Sequence, residues 1–583
     1  MPPILEIILT KSRMDIRIQF THMPTAVEKQ LKDAIDKILG SKSPRKLIVA
    51  GPGAGKTTLF KLLLEAAPGG EKSRLVLTFI NNLKDDLAHE LAGLATVLTL
   101  HGYCQSLLHR PVNVSLRDGL TSSFRCLPGL ASLIKKDWKY LRGEPVPHLV
   151  NLMRELENKE EELDFYKARA NYYDAVDFDD SIYRTYQGLK AHPGKIEEYD
   201  LVLIDEYQDF NRVEAGLIDL LAQRSPIVVA GDDDQALYSQ LKGASWEFIR
   251  SLHGGGKYEV FKLPFCMRCP EVIVDAVNDI ITVARESERL QGRIEKPFLH
   301  YEPVKGADSE KYPNIDLIVT TVQREKANYF GRYIERAINN LPKDEIKQAA
   351  AKGEPAVLVI GSKPYLPQVA KYLVSKGFVI EVKQDSSTKL EESQGFEILS
   401  DDPESNLGWR VMLEFETIEY AMARIKEAAE KKTRLVEILP REMKERVLAD
   451  AKAWAEEQKE AAKEVKNPKE PEGEQIRIKL TSFEGAKGLS AQHVFILGMH
   501  EGEMPRDVKN IQDLEICRLV VGLTRTKKKC SILLTRNFAS KWKNPSVFLR
   551  WIKKERFQKI EIDAGYWKPL QEIRELNLYL PLI

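Results

Sequence analysis

An α/β fold built on parallel sheets is what this sequence predicts, and two observations carry the expectation. Short continuous apolar runs alternate with amphipathic segments of helical length, the pattern of strands buried on both faces and joined by crossover helices. The pattern occurs twice, in two series, the first interrupted by a mixed stretch. At 583 residues the chain exceeds a single core, and roughly three to five domains of about 100–200 residues each are expected.

Taken in order, the first series places strands at Lys46–Ala50, Arg74–Phe79, Thr96–Leu100, Leu201–Ile204 and Ile227–Ala230. Between Arg110 and Lys195 the pattern turns helical and mixed. The second series places strands at Ile315–Thr321, Ala356–Ile360, Phe378–Val382, Ile476–Thr481, His493–Leu497 and Ser531–Leu534. Inside it, Glu416–Lys466 is rich in Ala, Glu and Lys at helical spacing and reads as two solvated helices broken near Leu439–Pro440. Asn467–Glu474 is a polar, proline-containing linker. No repeat with a period of about 20–50 residues is visible.

Composition excludes several classes. With 43% hydrophobic and 30% charged residues, the chain is neither collagen-like, mucin-like nor wholly disordered. No run of about 18 uncharged apolar residues marks a membrane span. The opening MPPILEIILTKSRMDIRIQF does not read as a signal peptide. Six cysteines are too few for a disulfide scaffold, so a reducing cytoplasm is the expected compartment. The 87 Lys and Arg nearly cancel the 86 Asp and Glu, leaving a net charge of +1. Net charge therefore lends no support to a nucleic-acid partner; only segregation of charge does.

The sharpest motif is Ala50-Gly51-Pro52-Gly53-Ala54-Gly55-Lys56-Thr57, followed by Thr58, between an apolar strand and a helical segment. Glycines let backbone N–H groups close around phosphate oxygens, and the helix N-terminus adds its positive end. Lys56 would neutralise the β- and γ-phosphates, and the Thr57 hydroxyl would ligate Mg²⁺. A carboxylate to hold the metal stands at the end of the strand Leu201–Ile204: Asp205 for Mg²⁺, with Glu206 to orient and deprotonate an attacking water.

From Glu206 the sequence continues Tyr207-Gln208-Asp209-Phe210-Asn211, and the string DEYQDFN resembles the DExxQD element of superfamily 1 DNA helicases of the UvrD/Rep/PcrA type. Further elements resemble that family in order. AGPGAGKT resembles A-G-x-G-S-G-K-T. Thr78-Phe79-Ile80-Asn81-Asn82 is similar to TFTN, and Thr99-Leu100-His101-Gly102 to T-x-H-G. Asp177-Phe178-Asp179-Asp180 matches a DFDDL-like string. Gly231–Tyr238 is close to GDDDQSIY, Arg268 falls at the arginine of NYRS, Glu484–Leu489 resembles H-S-A-K-G-L, and Val521–Arg525 resembles V-x-x-T-R.

The resemblance implies two RecA-like P-loop NTPase cores with ATP and Mg²⁺ between them, each core carrying an inserted, mainly helical subdomain, the second reduced. The implied boundaries are 1–108, 192–264 for the first core with 109–191 inserted, 265–383 and 475–560 for the second with 384–474 inserted, and a tail at 561–583. It implies that Gln235 senses the γ-phosphate and that Arg268 and Arg525 reach the transferring phosphoryl group from the second core. It implies single-stranded DNA and single/double-strand junctions as partners, with repair or replication proteins beside them, and 3′→5′ movement. Phe79, Asn81, Thr99, His101, Tyr238, Trp246 and Lys487 are the implied DNA contacts.

Departures from the pattern also matter. Met267 replaces the aromatic that stacks on adenine, and a thioether packs less directionally. Gln30 is the candidate for reading the adenine edge. The tryptophan of G-W-R-G-A is missing from Ser239–Ala244, with Trp246 as substitute or as core residue. Glu484 stands for the histidine of H-S-A-K-G-L, and Ser490 for the acid after it. The short second insertion leaves open a translocase that strips or remodels but unwinds poorly, or an ATPase-switch subunit of a larger repair or defence complex.

Overall fold

The computed structural model describes residues 24–567 apart from 80, 239–242, 383–389, 465–475 and 564, and the backbone of an antiparallel pair at Glu6–Leu9 and Ile16–Gln19. The side chains of 81–83, 86, 382 and 461–464 also lie outside the described set, so the Asn81 side chain and the Asn467–Glu474 linker are not placed.

The first sheet has six strands: β1 (Arg45–Ala50), β2 (Arg74–Thr78), β3 (Thr96–Thr99), β4 (Leu201–Ile204), β5 (Ile227–Gly231) and β6 (Glu259–Leu263). All pairings are parallel, in the order β6-β1-β5-β4-β2-β3. Strands β2, β4 and β5 are buried along their whole length, as continuous apolar runs covered on both faces require. Because β1, β5 and β4 are neighbours, the loops after them share one edge of the sheet. That edge is where open α/β sheets place ligands.

The second sheet has seven strands: β7 (Ile315–Thr320), β8 (Val357–Gly361), β9 (Ile380–Val382), β10 (Ile478–Thr481), β11 (Ala491–Leu497), β12 (Thr526–Thr535) and β13 (Phe557–Ile562). Its order is β9-β10-β8-β11-β12-β7-β13, again parallel throughout. The protein is thus mixed α/β with two large parallel sheets.

Two strands of these sheets escape the sequence reading. β6 and β13 lie at sheet edges, and their sequences EVFKL and FQKIEI mix polar with apolar residues instead of forming an apolar run. The strand expected at Ser531–Leu534 begins five residues earlier and takes in Lys527, Lys528 and Lys529. Each of these lysines has a carboxylate partner. Lys527 pairs with Glu354, Lys528 lies 3.5 Å from Asp308, and Lys529 lies 2.8 Å from Asp316.

Helix α1 (Ala26–Gly40) opens on a capping box. The Thr25 hydroxyl accepts from the Glu28 N–H at 3.2 Å, and Glu28 Oε2 accepts from the Thr25 N–H at 2.8 Å. Helix α2 (Lys56–Ala66) follows β1 directly. Between β3 and β4 the chain is mainly helical and includes α3 (Leu130–Leu141) and α4 (Glu160–Tyr173). Helix α5 (Glu271–Glu286) then leads toward the second sheet.

The stretch after β9 holds α6 (Asn406–Met412), α7 (Ile418–Lys431) and α8 (Arg441–Glu464), with short helices at Glu392–Asp401 and Leu435–Ile438. The break at Leu439–Pro440 is present, but the described part of Glu416–Lys466 holds three helices rather than two. Lys432 takes a left-handed conformation, φ 53°, and ends α7 early.

These helices are not merely solvated. Trp409, Val411, Ile425 and Leu435 share one core with Leu133, Ile134 and Tyr166 of the first helical stretch. At its centre Asp137 is fully buried. It accepts from Arg410 Nε at 2.9 Å, from Arg169 Nε at 2.9 Å and from the Tyr173 hydroxyl at 2.5 Å. A buried carboxylate needs such partners, because unpaired it loses its hydration with no return.

Candidate functional site

Three loops meet at the shared edge of the first sheet. After β1, Gly53 and Gly55 take φ values of +68° and +82°, a region that side chains with a Cβ rarely enter. The turn brings the chain round so that α2 begins at Lys56 with its N–H groups facing the loop. Thr57 is half-buried beside Lys56, and Thr58 is exposed.

After β4, Lys56 Nζ donates to Glu206 Oε1 at 2.5 Å and lies 3.5 Å from Asp205 Oδ1. Glu206 itself is left-handed, φ 54°, and its N–H donates to Asp205 Oδ1 at 2.9 Å. Gln208 Nε2 donates to Glu206 Oε2 at 2.6 Å, and Gln208 Oε1 accepts from the Asp232 N–H at 3.0 Å. After β5, Gln235 Nε2 donates to Asp232 Oδ2 at 2.8 Å.

The second sheet closes on this edge. Lys487 bonds Asp209, donates to the Gln235 carbonyl at 2.6 Å and stands 3.4 Å from Glu206 Oε2. Arg525 ends helix α9 (Asp513–Leu523) and its short exit turn. Its Nη2 donates to Gln235 Oε1 at 3.1 Å and its Nε to the Val521 carbonyl at 2.9 Å. Arg268 Nη1 donates to the Thr524 carbonyl at 3.3 Å, and the Met267 N–H donates to the Gly53 carbonyl at 2.9 Å. A Cβ on Gly53 would come within 2.5 Å of Arg268 Cβ, so the arginine's loop is packed directly on the glycine-rich turn.

The charges are polarised by this arrangement. Burial alone would lower the Lys56 ammonium, but Glu206 and Asp205 outweigh it and raise it above its ordinary value. Burial alone would raise Glu206; Lys56 and Lys487 outweigh it and hold the carboxyl well below the usual range. Asp205 moves the other way, raised first by burial and further by Glu206, against the pull of Lys56. Asp209 is pushed up to about 6, mainly by burial, with Lys487 opposing. Burial, then the neighbouring Arg268, lowers Arg525, which pairs with no carboxylate among the described residues. A guanidinium keeps its charge regardless. Arg525 is therefore a buried cation held chiefly by carbonyl oxygens.

Other expected positions fall elsewhere. Phe79 is buried, with its ring 5.4 Å from Tyr238 and 6.0 Å from Phe210. The Tyr238 hydroxyl donates to the Glu484 carbonyl at 3.2 Å. The Thr99 hydroxyl caps the following helix, accepting from the Gly102 N–H at 3.1 Å. His101 meets Phe178 edge-on at 5.0 Å, and Trp246 is half-buried under Arg250. Lys487, expected among the DNA contacts, is buried in the cleft with the carboxylates. Gln30 is exposed on α1 and lines a cavity of about 700 Å³ with Phe265, Phe298 and His300, so it is not among the groups at the glycine-rich turn.

Sequence reasoning missed Gln208 and Asp209 as site residues, although both stand in the DEYQD string. It also missed Lys296, whose Nζ lies 2.8, 2.9 and 2.7 Å from Asp232, Asp233 and Asp234. Those three carboxylates converge closely enough to hold a cation, and the ammonium takes that place. Nothing local marks Lys296, since its partners are about 60 residues away in sequence and only the fold joins them.

The family described as "UvrD/REP helicase N-terminal domain" matches residues 136–254, which hold the DEYQD and GDDDQ strings. That stretch is similar to the UvrD/Rep family. Among curated relatives, the chain is 29% identical over 327 residues to the ATP-dependent DNA helicase PcrA of Staphylococcus epidermidis, covering 48% of this chain and 42% of that protein. It is 28% identical over 300 residues to the ATP-dependent DNA helicase UvrD1 of Mycobacterium tuberculosis, covering 42% and 38%. It is 25% identical over 285 residues to DNA helicase II of Haemophilus influenzae, covering 42% and 39%. The chain thus spans about two fifths of the length of the curated relatives it matches. Among the described residues, no helix is long and apolar enough to cross a membrane.

Proposed function

We propose that this protein is an ATP-dependent DNA translocase or helicase that couples hydrolysis to 3′→5′ movement on single-stranded DNA. The observation that carries the reading is the continuous polar chain Lys56–Glu206–Lys487 and Gln235–Arg525, which joins motif residues of both sheets across one cleft. Cytoplasmic location and repair or replication partners belong to the same proposal.

The donor set fits a nucleotide's phosphates and a divalent cation. The left-handed glycines turn backbone N–H groups inward, Lys56 stands at the start of α2, and Thr57 and Asp205 offer a hydroxyl and a carboxylate for Mg²⁺. When bound, Mg²⁺ and ATP supply the transferable phosphoryl group and part of the charge that activates it. The chain's own groups do the rest. Glu206, kept ionised by two lysines, is suited to accept the proton of an attacking water at Oε2. Gln208 fixes that carboxylate's orientation. Arg525 brings positive charge from the second sheet and Arg268 from the link that leads to it, so full charge stabilisation exists only when the cleft is shut. Alternate closure and opening would then move the DNA grip.

A second reading, movement with poor unwinding, is favoured by one observation. The helices of 392–464 are bonded into the first helical stretch through Asp137 rather than standing apart as a separate lobe. We infer that the two helical stretches are insertions in the two cores, the second reduced and carried by the first.

The test is ATPase activity with and without single-stranded DNA, with Lys56→Ala as control, beside unwinding of a 3′-tailed duplex. Activity stimulated by DNA and abolished in Lys56→Ala supports the motor. Absence of DNA stimulation in the intact protein refutes it. Stimulated ATPase without unwinding selects the second reading.

A further inference from the structure

Cys266 and Cys269 flank Met267 and Arg268, and neither thiol has a part in the mechanism above. Both are fully buried, and all six cysteines are free. Cys266 ends a two-residue strand, Phe265–Cys266, paired with Leu299–His300. Cys269 and Pro270 stand immediately before α5, whose N-terminus carries positive partial charge. A Cβ on Gly53 would lie 3.3 Å from Cys266 Sγ, so this sulfur touches the glycine-rich turn. Cys269 Sγ donates to the Thr524 carbonyl at 3.6 Å, the same carbonyl that receives Arg268 Nη1. The pair therefore bridges the turn on one sheet and the seat of the arginine on the other.

The pair is also chemically unlike the other thiols. Burial pushes Cys126 up to about 11 and Cys530 up to about 12, and raises Cys104 and Cys517 as well. Cys266 is just as buried, yet the Cys269 thiol, backbone N–H groups and Arg268 bring it down to about 7. Cys269 is pushed up, mainly by burial and then by its bond to Cys266. One thiol of low pKa beside one of high pKa is the arrangement of an attacking and a resolving sulfur.

We propose that Cys266 and Cys269 form a redox-active dithiol, and that its conversion to an intramolecular disulfide by a low-molecular-weight disulfide switches the cleft off by displacing Arg268. The Cys266 thiolate attacks one sulfur of the small disulfide R–S–S–R, giving a mixed disulfide and releasing RS⁻. Cys269 then gives up its proton and attacks Cys266 Sγ, releasing the second RS⁻. The two cysteines are oxidised by two electrons and the small disulfide is reduced to two thiols. Both sulfurs lie between the sheets, so exchange proceeds when the cleft opens. Bringing the sulfurs to about 2.05 Å draws Cys269 off the Thr524 carbonyl and reshapes the two-residue link that carries Arg268. A dithiol reductant reverses the change.

The regulatory part rests on the ATPase reading, and the experiment separates the two. The purified chain is incubated with glutathione disulfide, then with dithiothreitol, and ATPase and peptide mass are followed together. Expected are loss of two hydrogens from the peptide joining Cys266 to Cys269, a fall in DNA-stimulated ATPase of at least about tenfold, as displacement of a catalytic arginine produces, and recovery of both on reduction. Cys266→Ser and Cys269→Ser should each abolish the mass change and the sensitivity to oxidant. No 266–269 disulfide in the wild-type chain overturns the proposal, as does a disulfide that leaves ATPase unchanged. So does inhibition that persists in Cys266→Ser. If the reduced chain has no ATPase at all, the functional reading fails, while disulfide formation still decides the dithiol chemistry.

Discussion

Lys487→Met removes the cation that the second sheet places against the first sheet's carboxylates. Its Nζ stands 3.4 Å from Glu206 Oε2, a distance worth about 5 kcal/mol at an effective dielectric of about 20. At 1.36 kcal/mol per pH unit the ceiling on the resulting pKa rise is about 3.5 units. Lys56 remains at Oε1 and water enters the gap, so we expect about one to two units. A carboxylate base works only when ionised. Glu206 is depressed in the intact cleft, so its activity is lost only far into the acid range. Raising its pKa moves that loss upward in pH. Asp209 loses the same partner, and its pKa, already about 6, rises toward neutrality. The assay is DNA-stimulated kcat as a function of pH for wild type, Lys487→Met and Lys487→Arg. The methionine variant should show its acidic limb displaced toward neutral pH, with the arginine variant restoring most of it. A uniformly lower profile with an unmoved acidic limb would refute the idea that Lys487 acts through Glu206.

Three further outcomes follow from the same geometry. Arg525→Ala should lower kcat by about 10³–10⁵ while nucleotide affinity changes far less, and Arg525→Lys should recover little, because a point charge does not reproduce the guanidinium fork; single-turnover ATPase with fluorescent nucleotide titration checks this. Gly53→Ala forces a Cβ into left-handed backbone, costing about 1–2 kcal/mol, and within 2.5 Å of Arg268 Cβ, so ATPase should fall while thermal unfolding moves little. Arg410→Leu leaves Asp137 buried with only Arg169 and Tyr173 and should destabilise the helical body by about 3–5 kcal/mol, seen as faster proteolysis of 392–464 and a lower denaturant midpoint.

Much of the cleft was legible because its chemistry is written in short strings. Gly53, Gly55 and Lys56 lie within four residues, and Asp205 and Glu206 are adjacent, so local backbone geometry alone brings each group together. The interior strands were legible for a similar reason, since burial on both faces demands uninterrupted apolar residues. Lys296 was not, because an ammonium among three aspartates looks like any surface lysine until the chain returns about 60 residues later. Lys487 was misplaced for the same cause. Its motif marked it as important, but which groups it would face depended on how the second sheet docks.

Sequence by itself determined the two parallel α/β series, the glycine-rich turn, the acidic pair after β4 and the order of motifs that resembles the UvrD/Rep type. Tertiary structure decided that Lys487 and Arg525 meet Glu206 and Gln235, that Phe79 is packed away, and that the helices of 392–464 belong to the first helical core. The physical reason is range. Hydrophobic periodicity and turn chemistry act within about 10 residues and leave a mark in sequence, whereas partners such as Asp137 and Arg410 are selected by burial. Each buried charge needs an opposite charge or hydrogen-bonding partners wherever the packed chain supplies them.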